Sequence, residues 1–152
     1  MAEENTEHKQ LRKEKMSDEA RWMLAFAFIS LPTIAFGGHF LLSILKKQAG
    51  TENISGIQRE YFRAGHAHAG VLVTLAIIGQ IVLDYSLFND SLVWAMRIGL
   101  VVAPLLISGG FFGGAPRTPE AQPGGLVRLI PLGAVVMSLS TIGVGLSLLF
   151  TL

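Results

Sequence analysis

The chain contains no cysteine among its 152 residues. That excludes disulfides, cysteine-held iron–sulfur clusters, thiolate zinc sites and cysteine nucleophiles. Charge is scarce too: Asp, Glu, Lys and Arg make up 15% of the residues, against about 25% in soluble domains. The little charge present is bunched, with 11 of the 23 charged residues in positions 1–21. Neither an ordinary soluble globule nor a disordered chain has this composition. A net charge of +1 gives no reason to expect a nucleic-acid partner. Walker loops, dinucleotide fingerprints, H-E-x-x-H and G-x-S-x-G motifs are also missing, so nothing points to hydrolysis.

What the chain has instead is long apolar runs. A membrane-spanning helix needs about 20 mostly apolar residues. Four stretches meet that length: residues 22–45, 62–85, 92–112 and 126–150. None alternates with the period of a strand. Backbone polar groups in lipid must be satisfied internally, which leaves helices for such runs. The expected fold is all-α, an integral membrane four-helix bundle on residues 22–152, with both ends on one side. Residues 1–21 read as a polar, solvated N-terminal tail whose second half extends the first helix. The tail is too acidic, and the run behind it too long, for a signal peptide. The stretch from Gly113 to Gly125 is rich in Gly and Pro and reads as a loop.

Two features concern assembly and orientation. Gly109, Gly110, Gly113 and Gly114 form overlapping G-x-x-x-G frames, and Thr141, Gly143, Gly145 and Ser147 form a second small-residue set. Such faces let helices approach closely. They suit sealing the bundle, a homo-oligomer or a larger membrane complex, and the sequence does not choose. Cations are balanced across the bilayer, but the first helix has the more basic N-terminal flank. That favours a cytoplasmic N-terminus in a bacterial plasma membrane.

Three histidines fall inside spans: His39 late in the first helix, His66 and His68 early in the second. The hairpin between those helices puts all three at similar depth. An ionisable residue in a span is a functional-site hypothesis by default. At about 100° per residue, His66 and His68 point roughly 200° apart. His66 shares a stripe with Arg63, Gly70, Gln80 and Asp84 and should face the interior. His68 faces another helix, a second subunit or a cofactor edge. Neutral imidazoles suit haem iron, copper or zinc. The expectation is therefore one haem b or one transition metal ion, with His39, His66 and His68 as candidate ligands and His39–His66 as the preferred pair. Arg63, Arg117 and Arg128 lie at the matching end to neutralise haem propionates. Asp84 and Arg97, flanking the short second loop, are expected to form an interfacial ion pair.

The stretch Tyr61-Phe62-Arg63-Ala64-Gly65-His66-Ala67-His68-Ala69-Gly70-Val71-Leu72 is similar to a helix of a known group. It resembles the H-A-H-containing helix of small bacterial membrane proteins related to the catalytic subunit of haem–copper oxidases and nitric oxide reductases. In that family, histidines at such positions ligate haem iron or copper. The match carries over to His66 and His68, with Gly70 in the small-residue place behind them; His39 enters on geometry alone. The chain has fewer spans than the full subunit and too few histidines for two haems and a copper. The resemblance thus implies a single haem or metal, in electron transfer, sensing or cofactor handling. Two other functions fit the same residues. One is a transporter or channel running along Arg63, His66, Gly70, Gln80 and Asp84, with His66 as a protonation switch. The other is a structural subunit of a larger membrane complex.

Overall fold

The structure is a computed structural model that describes residues 16–150. The polar tail expected over residues 1–21 lies outside the described residues up to position 15. Among the described residues there are four long helices and no strand: α1 (Asp18–Leu45), α2 (Gly56–Leu83), α3 (Asp90–Gly114) and α4 (Leu129–Leu149). A short 3-10 turn, Gly125–Arg128, leads into α4. All four helices are long and apolar enough to cross a membrane. The chain is an all-α, multi-pass membrane bundle.

The first three helices start earlier than the apolar runs because capping side chains set their ends. The Ser17 hydroxyl accepts from the Ala20 amide at 3.1 Å, so the polar turn 18–21 joins α1. Ser55 and Gln58 form a reciprocal capping box that begins α2 at Gly56. Asn89 caps α3 by accepting from the Leu92 amide. Each cap satisfies a backbone donor that the helix itself leaves unpaired. At 1.5 Å per residue, the 28 residues of α1 and of α2 span about 42 Å, enough to cross a hydrocarbon core of about 30 Å.

The core lies where α3 meets α2 and α4. Ala76, Leu83, Met96, Leu100, Ala103 and Met137 form its buried cluster. Ten of the 25 residues of α3 are buried, against four of the 28 in α1. Glycines make the close contacts. A Cβ on Gly79 would stand 2.5 Å from Leu100 Cδ1, one on Gly99 would strike Ser140, and one on Gly143 would strike Met96. Gly110, Gly113 and Gly114 likewise seat the Leu126–Ile130 segment. Most of the small-residue faces thus pack inside the bundle, while Gly109 and Gly145 have nothing near them.

Candidate functional site

Two polar constellations sit at opposite ends of the helices. The first lies where α2 and α4 begin and α3 ends, and it holds the histidines. Aromatic rings knit this end. Phe40 packs on Phe62 (centroids 5.7 Å apart), Phe62 stacks on Phe112 (5.8 Å), and Tyr61 meets Phe111 edge-on (6.1 Å). Gly65 lets this happen, since a Cβ there would press on Phe111 and Phe112 at 3.0–3.1 Å.

The histidines leave α2 in different directions, as their spacing requires. His66 is half-buried against α1, with its ring 3.3 Å from where a Cβ on Gly37 or Gly38 would stand. His68 stacks on Phe111 of α3, with ring centroids 5.0 Å apart. His68 Nδ1 lies 2.7 Å from the Ala64 carbonyl oxygen. A carbonyl only accepts, so Nδ1 carries the proton and donates. In the neutral ring that leaves Nε2 with its lone pair free. His68 is exposed on the outer surface of the bundle.

The expected His39–His66 pair does not form. α1 turns its glycines toward α2 because only a residue without a side chain admits the His66 ring so closely. At about 100° per residue, that places His39 roughly 150° around the helix from the Gly37–Gly38 face. His39 is exposed, and its carbonyl accepts from the Ser43 hydroxyl at 3.1 Å. Among the described residues, no three His, Asp or Glu side chains converge as a metal-holding group. Arg63 is exposed and pairs with Glu60 at 3.3 Å. Arg117 and Arg128 are exposed at the same end and form no ion pair among the described residues. A donor set of this kind fits one imidazole ligand presented outward. Among the described residues it does not bring two imidazoles onto the same iron.

The second constellation lies at the other end, where α1 begins. Asp84 and Arg97 do pair, but inside the protein: their side chains are 12% and 3% exposed, with Nη2 2.6 Å from Oδ1. Arg97 Nη1 donates to the Gln80 backbone carbonyl (3.0 Å) and to its Oε1 (2.9 Å). Gln80 Nε2 returns a bond to the Arg97 carbonyl at 3.0 Å. Ser17 completes the set from α1. Its amide donates to Asp84 Oδ2 (3.0 Å), its hydroxyl donates to Oδ1 (2.5 Å), and Arg97 Nη2 reaches that hydroxyl at 3.4 Å. The guanidinium fork suits this task, since it has five donors in one plane. An open cleft of about 260 Å³, lined by Glu19, Ser86, Asp90 and Trp94 among others, borders Ser17, Asp84 and Arg97.

Ser17 was not visible as a partner of Asp84, since 67 residues separate them. The only sequence signal was a serine followed by Asp18 and Glu19 ahead of an apolar run, which marks a helix start. No family profile, curated protein or solved structure matches the chain.

Proposed function

We propose that this membrane protein holds one haem or transition metal ion through His68, in electron transfer, sensing or cofactor handling. The observation that carries the reading is the imidazole of His68. Its Nδ1–H is fixed on the Ala64 carbonyl, and its Nε2 is free on an exposed face. Ligating histidines are oriented in this way, with one nitrogen tied by a hydrogen bond and the other given to the metal. Phe111 backs the ring and limits its rotation. Arg63, Arg117 and Arg128 stand at the same end as counter-charges for propionates. The H-A-H resemblance falls on this histidine and on His66.

A bound haem would supply one-electron chemistry; the chain's part is to orient the imidazole, hold its proton on Nδ1 and supply counter-charge. The remaining ligand comes from outside the described histidines, because His66 faces α1 and His39 faces away. A cytoplasmic N-terminus in a bacterial plasma membrane accompanies the proposal, supported by the basic flank of α1. A solute path along α2 has less support. Its Gln80 and Asp84 are already engaged by Arg97, and Leu100 fills the notch at Gly79.

The test is purification in mild detergent from cofactor-replete cells, with an absorbance spectrum and metal analysis. A Soret band or a stoichiometric metal that is lost in His68→Ala and kept in His39→Ala supports the reading. A colourless, metal-free protein overturns it, as does a signal indifferent to His68→Ala. Copurification of a partner chain without a chromophore would favour the structural-subunit function instead.

A further inference from the structure

α1 stands apart from the other helices in how it is held. Only Ala20, Leu24, Ala27 and Ile44 are buried along its length. Its large side chains face outward: Trp22, Ile29 and Phe36 are each more than 70% exposed. Two contacts fix it most specifically. At one end the Ser17 amide and hydroxyl hold Asp84, with Arg97 behind. Near the other, Gly37 and Gly38 lie over the His66 ring and Phe40 packs on Phe62. Pro32 sits between the two. The helix is unbroken through that residue, so its two ends move together.

We propose that α1 moves as one lever covering His66, latched shut from the opposite membrane face by the Ser17 hydroxyl. From Ser17 to Gly38 the helix rises about 32 Å, which places latch and cover near opposite faces of the bilayer. The Ser17 hydroxyl is saturated: it donates once, to Asp84, and accepts from the Ala20 amide and from Arg97. Its loss therefore removes one bond to Asp84 and one from Arg97 together. The network itself stays assembled, since Arg97, Asp84 and Gln80 bind one another without α1. The bordering cleft makes the latch reachable from water. Opening turns His66 from a ring packed on glycine into an accessible imidazole. The inference does not depend on His68 binding a cofactor.

The experiment uses the full chain in lipid nanodiscs and diethyl pyrocarbonate, which modifies accessible imidazoles, read residue by residue by mass spectrometry. His39 and His68, both already exposed, serve as internal references. Ser17→Gly keeps an acceptable helix cap while removing the hydroxyl. It should speed His66 modification by at least about fivefold, the population shift that loss of even one net hydrogen bond allows, and leave His39 and His68 unchanged. Ser17→Thr, which keeps the hydroxyl, should restore the slow rate. Gly38→Ala tests the other end with the latch intact, because its Cβ presses on the His66 ring, and it too should raise the His66 rate. Spin labels on Phe36→Cys and Val71→Cys, unambiguous in a cysteine-free chain, should show a second, longer distance in Ser17→Gly. An unchanged His66 rate in both variants overturns the proposal. So does an increase shared by all three histidines, which marks general loosening, or a label distance indifferent to Ser17.

Discussion

Arg97 and Asp84, thirteen residues apart across the α2–α3 turn, meet at 2.6 Å, largely buried beside an open cleft. The guanidinium is 2% exposed as a residue and every partner it has is polar: Gln80, Asp84 and Ser17. The pair links α2 to α3, and Ser17 adds α1. A buried charge is tolerated here because both terminal nitrogens are matched.

Removing one member alone should be severe. Arg97→Leu leaves Asp84 buried with only Ser17, and Asp84→Leu leaves the guanidinium without its counter-charge. Each should cost about 3–5 kcal/mol, as breaking buried pairs does. The double variant should recover most of that loss, since no unpaired charge remains. Gln80 Nε2 keeps its bond to the backbone carbonyl of residue 97 in either case. Unfolding in mixed detergent micelles measures all three, and a double variant as unstable as the sum of the singles would refute the argument.

The glycines should differ in what a methyl group does to them. At Gly133 a Cβ would meet Ile107 Cγ1 at 2.7 Å, Leu106 Cβ at 2.9 Å and the Ala103 carbonyl at 3.1 Å. Backbone and Cβ atoms cannot step aside, so Gly133→Ala should destabilise by about 1–3 kcal/mol. Gly143→Ala meets Met96, whose flexible thioether can move, and should cost less. Gly145→Ala meets nothing and should stabilise α4 by about 0.5–1 kcal/mol. Thermal unfolding in detergent ranks the three.

Lys47 follows α1 with φ 50°, in the left-handed region, while the Gln48 amide reaches back to the Ser43 carbonyl at 3.0 Å. Glycine is the usual residue at that position of a helix end. Lys47→Gly should raise stability by about 1 kcal/mol by relieving the left-handed backbone. Lowered stability in the same assay would show that the lysine charge matters more than the strain.

Phe111 is stacked on His68 and edge-on to Tyr61. Phe111→Leu keeps apolar bulk but removes the flat partner, so it should cost about 1 kcal/mol. It should also loosen the His68 ring. The check is the imidazole NMR signal: His68 should broaden while His66, which packs on α1, keeps its line shape.

The number of helices was legible because uninterrupted apolar length has one physical use in a chain like this. Helix starts were less so. Apolar length marks where lipid begins, whereas Ser17, Ser55 and Asn89 mark where hydrogen bonding begins, a few residues earlier. The 200° separation of His66 and His68 followed from helical pitch alone and is seen in their contacts with α1 and α3. The facing of His39 did not follow, because it depends on which side of α1 docks, and the Gly37–Gly38 notch decides that. Asp84 with Arg97 could be paired on the sequence. Their depth could not, since it rests on Gln80 and Ser17 arriving from two other places in the chain.

The guanidinium in α3 also bears on how the protein enters the bilayer during synthesis. A lone arginine resists transfer from the translocon into lipid, yet its carboxylate counterpart emerges from the ribosome only thirteen residues ahead of it. The second and third spans are thereby suited to partition as one charge-neutral hairpin.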